Sequence, residues 1–563
     1  MNAWARNYAA RKLCIRMARC VAKLRVMKWR RVVWVSWVSA GLVASACASS
    51  SDGDGSSTST GGTQGDGDGD QDSATSESST SGLGGTSNNP STPGEDLSGT
   101  GVDESGLGRA GFRFGINHGH PNPDFSDAVM SDLSSQLGIS SIRLKYPDYH
   151  FYNWGTAIEV SDAEHYAQNA QHDHVAFLIG MRQEYSTAPQ GSEDWQRDHY
   201  IPSHLYEPIW TEAGEVNPEN YFAGYLKDTF STYKDHVKYW EIWNEPDFID
   251  DWTISQRWAT EPPTKEELIR FHGSIFDYIR MLRIACEVRD KYAKDTFVMT
   301  GGIGYPTFLD AILRYTDNPD GGKKTEEYPQ TGGDYFELVS FHHYPHLVED
   351  GASDAGLDSF VSHRDELQAV LDARDVVGKG YMVTETGASH GSIEQTASGP
   401  DYAINYALKA LIWAKAEGFF GIDWFTLADG ADENDAFANM GLYEDISSLD
   451  APSQADVTDT GRAYAWLSTQ LHQARWDEEG TEQLDLPPEA RGYAFANSDG
   501  SRFWVVWAES QSDEQATLTM SLPLEQGAQV LSWDGAAEGE PCDFSSGSCL
   551  LELTSTPLVV REP

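Results

Sequence analysis

Basic residues are scarce in this chain: 40 Lys and Arg stand against 87 Asp and Glu among 563 residues, and the formal net charge is −47. A field of this sign repels the phosphates of nucleic acids and the headgroups of anionic membranes. It also disfavours a strongly polyanionic substrate, unless a local basic pocket overrides the field. We therefore expect no nucleic-acid partner.

Cysteine is also scarce, because the chain has only six, and none of them lies in a Cys/His spacing typical of zinc. We accordingly expect neither a metal nor a cofactor. Cys542 and Cys549 enclose a short loop, and in an exported protein such a pair predicts a disulfide. Cys286 lies in a helical pattern, which indicates an inert buried thiol.

No apolar run near the N-terminus is long enough for a membrane span, which needs about 20 residues. Val32–Ala46 has 15, and residues 1–47 carry ten Lys or Arg and no acidic residue. This basic-then-apolar order predicts an export signal. Its end, Val43-Ala-Ser-Ala-Cys47, resembles the bacterial lipoprotein box. We expect a signal at 1–47, with the start at Met27.

The resemblance to the lipoprotein box implies a chain that is lipid-anchored through Cys47 at the bacterial cell envelope. The membrane is expected as a partner only through that anchor. The alternative is an ordinary cleaved signal and a secreted chain. Residues 48–108 have no aromatic side chain and are mostly Ser, Gly, Thr, Asp and Asn. Such a composition predicts a disordered linker.

Residues 109–478 alternate short apolar runs with helical patterns. The expected strands are Phe112–Ile116, Ser141–Leu144, Val175–Ile179, Tyr239–Trp243, Phe297–Thr300, Leu338–Phe341, Tyr381–Thr384 and Gly421–Phe425. The expected helices include Ser126–Leu137, Glu219–His236, Lys265–Tyr292, Ser359–Arg374 and Tyr402–Glu417. Eight strand–helix units predict an α/β fold, a (β/α)8 TIM barrel. Closely spaced strand signals over 479–563 predict a small C-terminal antiparallel β-sandwich.

Two of the expected strands end in glutamates. The fourth runs Tyr239-Trp-Glu-Ile-Trp-Asn-Glu-Pro-Asp247, and the seventh runs Tyr381-Met-Val-Thr-Glu-Thr-Gly387. Sites of TIM barrels lie at the carboxyl ends of the strands. Hydrolysis of a glycoside with retention needs two carboxyl groups about 5–5.5 Å apart. Glu245 and Glu385 are the candidates for that pair.

In these motifs the segment resembles clan A retaining glycoside hydrolases, over roughly residues 110–450. The layout resembles family 39, or some members of families 5 and 30. The resemblance implies that Glu245 is the acid/base and Glu385 the nucleophile, and that Asn244 binds the sugar 2-hydroxyl. The stretch Thr307–Asp334 matches nothing in those families and is interpreted as an insertion.

The resemblance also implies supporting roles. In Phe341-His342-His343-Tyr344 it matches His342 and Tyr344 to a His-x-Tyr pattern, with Tyr344 bonded to the nucleophile. It matches Arg143 to a second-strand arginine that supports the nucleophile, and Trp424 to an aromatic floor beneath the catalytic subsite.

The sequence thus predicts an exported glycosidase that cleaves a neutral, β-linked poly- or oligosaccharide through a covalent glycosyl-enzyme. We expect Glu245 to be protonated before cleavage, with its pKa raised by burial or by the charge of Glu385. Glu385 is expected to stay ionised. Loops rich in aromatic residues suit a carbohydrate, although about half of those rings are expected only to pack the loops.

Two alternatives remain open at this stage. A metal-dependent, amidohydrolase-like barrel would use His118 and His120 with Asp423 or Asp429, but the fourth strand lacks its lysine and the fifth its histidine. A non-catalytic polysaccharide-binding surface protein would have the same fold. The C-terminal sandwich is expected to pack on the barrel, with carbohydrate binding as its alternative role.

Overall fold

The structure is a computed structural model, and it describes residues 111–119, 122, 124–155, 163–169, 173–347, 351–393 and 396–562. The predicted signal at 1–47, with Met27 and Cys47, and the predicted linker at 48–108 lie outside the described residues. Within the described ranges no helix is both long and apolar enough to cross a bilayer.

Eight parallel strands close into a barrel in chain order, which confirms the predicted fold class. Their bounds are β1 Arg113–Asn117, β2 Ser141–Lys145, β3 Asp173–Leu178, β4 Val237–Ile242, β5 Phe297–Met299, β6 Leu338–His343, β7 Gly380–Thr386 and β8 Gly421–Trp424. Short apolar runs suit these strands because helices cover the outer face of a parallel sheet.

Helices follow the strands around the barrel. They are α1 Asp127–Gln136, α2 Asp148–Trp154, α3 Asp194–Arg197, α4 Tyr221–Tyr233, α5 Ile275–Tyr292, α6 Pro306–Arg314, α7 Ser353–Ala373, α8 Pro400–Ala416, α9 Asp459–Leu471 and α10 Glu478–Glu482. Side-chain caps fix several starts: Ser126 accepts from the Val129 N–H, and Thr458 accepts from the Gly461 N–H.

Several expectations differ from the structure: the helix expected over Ser359–Arg374, for example, begins at Ser353. The helix expected over Lys265–Tyr292 begins at Ile275, because Ser274 and Asp277 form a capping box and the preceding ten residues are irregular. The stretch Thr307–Asp334 is not an insertion throughout, since its first part belongs to α6, the helix that follows β5. Pro306 starts that helix, where proline costs no hydrogen bond.

Antiparallel sheets follow the barrel. Their strands are β9 Arg475–Trp476, β10 Ala490–Ala496, β11 Arg502–Ala508, β12 Thr517–Pro523, β13 Gln529–Leu531, β14 Glu540–Pro541, β15 Asp543–Ser545, β16 Ser548–Thr554 and β17 Leu558–Arg561. Six strands form one sheet in the order β14-β13-β17-β11-β10-β9, and three form another in the order β12-β16-β15. Trp504 and Val506 share a buried cluster with Met520 and Leu551, which joins the two sheets as layers of a sandwich.

Three cysteines lie in the described residues. Cys542 and Cys549 form the predicted disulfide. Cys286 on α5 is a free thiol, and burial raises its pKa to about 12, so the thiol stays protonated and unreactive at neutral pH.

The barrel interior changes character along its axis. An apolar layer contains Val175, Tyr239, Met299, Leu338 and Met382. Two residues further along the strands, the inward positions are polar: Glu241 on β4, Ser340 on β6 and Thr384 on β7. A polar layer around one carboxylate, Glu241, therefore lies beneath the mouth of the barrel and supports the residues there.

A buried ion pair joins the barrel helices to the C-terminal sheets. Lys409 on α8 donates to Asp354 on α7 at 2.6 Å, and both side chains are fully buried. Asp354 also accepts from the Trp507 indole and from the Ser510 N–H and hydroxyl. This network supports the predicted packing role of the C-terminal sheets.

We expect Asp354→Ala to lower the free energy of unfolding by about 3–5 kcal/mol, because the Lys409 charge is left buried without its partner. Asp358→Ala is the matched control, since Asp358 lies on the same helix, has a side chain that is 41% exposed and pairs with Arg491. That variant should lose no more than about 1 kcal/mol. Urea denaturation measures both, and equal losses would contradict the interpretation.

Candidate active site

Glu245 is turned into the barrel mouth by an unusual backbone. Trp243 and Glu245 have φ angles of 80° and 49°, which non-glycine residues rarely adopt and which cost about 1–3 kcal/mol each. Two contacts hold the turn: the Glu245 N–H donates to the Gly301 carbonyl at 2.7 Å, and the Trp243 indole donates to the Arg270 carbonyl at 2.7 Å. The turn after β4 is therefore fixed from two directions.

Glu385 reaches the mouth through a bulge in β7. Phe341 pairs with Val383, but His342 pairs with Glu385, so one extra residue of β7 lies between these pairs. Thr384 faces inward, and simple alternation would send Glu385 outward toward the helices. The extra residue re-aims the side chain, as bulges beside functional sites do.

Both oxygens of Glu385 are bonded. Arg143 on β2 donates to one oxygen at 2.7 Å, and the Tyr344 hydroxyl donates to the other at 2.7 Å. Arg143 is 3% exposed and Tyr344 is 8% exposed, so both contacts are shielded from water. The structure brings these three residues together in the arrangement that the resemblance implies.

Glu245 has different partners. One oxygen lies 3.1 Å from His342 Nδ1, and the other accepts a hydrogen bond from Arg270. Burial raises the pKa of Glu245, but the His342 hydrogen bond and the positive charges of His342, Arg270 and Arg143 outweigh burial, so this pKa lies below its ordinary value. The expectation of a raised pKa was wrong for this state of the site, because the sequence did not reveal that His342 and Arg270 both contact Glu245.

The two glutamates are close neighbours. An oxygen of Glu245, an oxygen of Glu385 and His342 Nδ1 all lie within 4.8 Å of one another. His342 Nδ1 is 3.5 Å from Glu385 as well, so the imidazole bridges both carboxylates. Burial lowers the pKa of His342, but the two carboxylates more than offset burial and leave this pKa raised.

Gly302 makes room for that imidazole. Its φ is +64°, a conformation that glycine adopts freely, and a Cβ there would lie 2.2 Å from His342 Nε2. The ring therefore packs flat against the backbone that follows β5, and this contact fixes its orientation between the glutamates.

Arg143 also organises the groups beneath the glutamates. It donates to Glu241 at 2.6 Å and to Asn244 Oδ1 at 2.6 Å. Glu241 is fully buried and also accepts from the hydroxyls of Ser340 and Thr384. Asn244 is thus oriented by its side-chain oxygen, which leaves its amide hydrogens available for a ligand.

Trp424 is not where the resemblance placed it. It is fully buried, its indole donates to the Met440 carbonyl at 2.8 Å, and its ring lies against Tyr406 of α8. Asp423 faces into the barrel, so alternation along β8 directs Trp424 outward. The next residue, Phe425, is half-buried with its ring 5.9 Å from Tyr344, and it offers the aromatic surface near the site instead.

The aromatic loop residues divide as expected. Tyr146, Tyr149 and Trp258 are buried and pack the loops. Tyr152, Trp195 and Trp252 are more than half exposed, at 60%, 53% and 55%. Exposed rings of this kind are able to stack on sugars.

Of the residues proposed for a metal-dependent barrel, the described ones, His118, Asp423 and Asp429, have other contacts. Asp429 bonds His390 and the Gly441 N–H, Asp423 is fully buried, and His120 lies outside the described residues. His118 packs against Tyr166, and burial lowers its pKa.

Among the described residues, the group with metal-ligand spacing is Glu245, His342 and Glu385. Arg143 and Arg270 already bind these two carboxylates, and their positive charge opposes a cation.

Two residues of this site were missed by the sequence reasoning. Glu241 lies inside the expected fourth strand, and its inward parity with Tyr239 was a signal that could have found it. Arg270 lies in the irregular segment before α5, which was interpreted as helix, and no periodicity places it in the mouth.

Of the comparisons with known proteins, the one with solved structures finds similar folds. No protein-family model and no curated protein matches the sequence. The chain is similar to the structure of a family 39 glycoside hydrolase from Bacteroides cellulosilyticus WH2, with a TM-score of 0.53, 14% identity and coverage of 81% of this chain and 82% of that one.

The chain is also similar to a family 30 endoxylanase from Clostridium papyrosolvens C71, with a TM-score of 0.46, 12% identity and coverage of 80% and 95% of the two chains. For a family 51 α-L-arabinofuranosidase from Thermotoga petrophila RKU-1, the TM-score is 0.44 and the identity is 10%, with coverage of 80% of this chain and 96% of that one. At these identities the likeness to the family 39 enzyme establishes the fold alone.

The bridge at His342 gives a test that needs no substrate. We expect Glu245→Gln to lower the pKa of His342, because one of the two charges that raise it is removed. Titration of the histidine resonances by NMR measures this shift. His390, whose pKa is raised by Asp429, is the internal control and should not move. An unchanged His342 titration would contradict the geometry.

Proposed function

We propose that this chain is a retaining glycoside hydrolase with Glu385 as nucleophile and Glu245 as acid/base. The observation that carries the proposal is the closeness of the two carboxylates: an oxygen of Glu245 and an oxygen of Glu385 lie within 4.8 Å of each other. Retaining enzymes need carboxyl groups about 5–5.5 Å apart, whereas inverting enzymes need about 6.5–9.5 Å to fit a water.

In the first step Glu385 attacks the anomeric carbon while the bond to the leaving oxygen breaks. Arg143 and Tyr344 hold the Glu385 carboxylate in one orientation, which confines the attack to one direction. Glu245 transfers its proton to the leaving oxygen, and the sugar remains as an ester on Glu385. Asn244 is placed to bond a hydroxyl of that sugar.

In the second step water enters where the leaving group stood. Glu245, now a carboxylate, accepts a proton from that water as its oxygen attacks the anomeric carbon, and the ester bond to Glu385 breaks. The His342 and Arg270 contacts favour the ionised form of Glu245, and this is the form that the second step requires.

The first step requires the opposite form. Glu245 must carry a proton when substrate is cleaved, and the Arg270 ion pair opposes that state. Substrate binding must therefore weaken the contact between Arg270 and Glu245.

The substrate that we propose is a β-linked glycan outside the cell. The acidic chain disfavours a polyanion, so a largely neutral backbone suits it. Export rests on the basic and apolar order of residues 1–47, with lipid attachment at Cys47, and mass spectrometry of the mature N-terminus tests it.

We expect Glu385→Ala to reduce turnover of an aryl glycoside at least about a thousandfold, because the ester cannot form. Added azide should restore part of the turnover and yield a glycosyl azide of inverted configuration. NMR of the product measures that configuration. A screen of aryl glycosides with the unaltered chain first supplies the sugar for the assay.

Glu261→Ala is the matched control, since Glu261 is an exposed carboxylate after β4. It should keep full activity. Unchanged turnover in Glu385→Ala would overturn the proposed function, and so would an azide product of retained configuration.

Arg270 gives a prediction for pH dependence. Because Arg270 lowers the pKa of Glu245, Arg270→Gln should raise that pKa, by about one unit. The basic limb of kcat/KM reports the free acid/base, so it should move to higher pH. Arg257→Gln, an exposed arginine on the same segment, should leave the limb in place. A shift to lower pH would contradict the assignment.

A further inference from the structure

Arg270 reaches the barrel mouth from the irregular segment between β4 and α5. Its guanidinium donates to Glu245 and lies over the Phe248 ring, 3.7 Å from the ring centre. The Arg270 side chain is 34% exposed and that of Glu245 is 20% exposed, so the ion pair is open to the cleft. A ligand in the cleft is therefore able to reach both partners.

Protonation of Glu245 changes the charge balance around Arg270. An arginine stays charged in proteins. Among the described side chains, Glu245 is the carboxylate that hydrogen-bonds Arg270. When Glu245 takes up the proton needed for cleavage, the guanidinium is left half-buried without a counter-charge. Such a cation then needs water or another anion.

The position of Arg270 indicates which part of a bound substrate would lie beside it. Glu385 is held by Arg143 and Tyr344, whereas Arg270 contacts Glu245 alone of the two glutamates. Glu245 protonates the leaving oxygen, so it lies on the side of the leaving group. Arg270 therefore lies beside the sugar that departs, and not beside the sugar that stays on Glu385.

Other positive or basic groups lie on the same side. Burial, together with the positive charges of Arg270, His272 and Lys145, lowers the pKa of His199 to about 4. These four residues are thus electrostatic neighbours. His272 lies against the Tyr200 ring at 4.3 Å, and Lys145 is paired with Asp198. Among these four residues, Arg270 is the one whose ion-pair partner, Glu245, must take up a proton and lose its charge during catalysis.

We propose that Arg270 binds an anionic substituent, a carboxylate or a sulfate, on the sugar of the leaving-group side, and that it exchanges Glu245 for this group when substrate binds. The inference rests on the proposed function, because the direction of the leaving group follows from the roles of the two glutamates. A planar guanidinium matches the oxygens of either anion.

This substituent is compatible with the acidic chain. A net charge of −47 disfavours a polymer with many charges, but not a neutral backbone that carries an isolated acidic group. The substrate class is then a β-linked glycan with occasional uronate or sulfate groups. One cation beside the scissile bond selects the position where such a glycan is cut.

The test compares three hexoses that differ at carbon 6: glucose, glucuronate and glucose 6-sulfate. Isothermal titration calorimetry measures their binding to the full chain, so that no turnover is required. We expect at least one anionic sugar to bind about tenfold or more tighter than glucose, the size of one charge-assisted hydrogen bond. The stronger of the two identifies the anion as carboxylate or sulfate.

Arg270→Gln should abolish this preference, and Arg257→Gln, whose side chain is 55% exposed and pairs with Glu267, should keep it. Arg270→Lys retains the charge and should keep part of the preference, which covers the case in which Arg270→Gln fails to fold. Equal binding of all three sugars would overturn the proposal, as would no binding of either anionic sugar, or a preference that persists in Arg270→Gln.

The outcome separates this inference from the proposed function. If the unaltered chain cleaves a neutral aryl glycoside and Glu385→Ala does not, the glycosidase proposal stands even when no anion preference is found. If neither chain cleaves any glycoside while the anion preference follows Arg270, the cation site stands as a binding site and the glycosidase proposal fails.

Discussion

A single buried guanidinium connects the parts of the candidate site. Arg143 on β2 donates to Asn117 at the end of β1, to Glu241 and Asn244 of the β4 region, and to Glu385 on β7. A buried arginine is costly unless its donors are satisfied, and here the partners come from three other strands. One rigid planar group therefore sets the relative positions of these residues. A shift of any of the strands would move Arg143 and so displace both glutamate segments.

The two glutamates are held in different ways. The contacts of Glu385 come from β2 and from the residue after β6, which belong to the rigid barrel. Glu245 is held by His342 of β6 and by Arg270, which belongs to a loop segment. A nucleophile benefits from one fixed direction of attack. An acid/base that alternates between protonated and ionised forms benefits from a partner that is able to move, and a half-exposed arginine on a loop provides one.

The sequence predicts the barrel well because each strand is a short apolar run with helical patterns between. The two glutamates were recognisable because Asn-Glu-Pro and Thr-Glu-Thr-Gly fall at strand ends. The predictions that were wrong depend on the direction of a side chain or on contacts between residues far apart in the chain. Trp424 and Phe425 differ by one position, and parity alone sends the first outward. The pKa of Glu245 was predicted in the wrong direction because the groups that lower it, His342 first and then Arg270, lie 97 and 25 residues away, and no local pattern shows that they contact it.

The electrostatic field of the net negative charge and the direct contacts of Glu245 affect this site over different distances. At physiological ionic strength charges are screened over about 8 Å, so acidic side chains elsewhere on the surface have little effect on the pKa of Glu245. His342 and Arg270 touch it and prevail, lowering a pKa that burial raises. We expect the net charge to disfavour nucleic acid and dense polyanions as partners, because those ligands meet the whole surface. A single acidic group at the leaving-group side meets Arg270 first, and there the local cation outweighs the distant field.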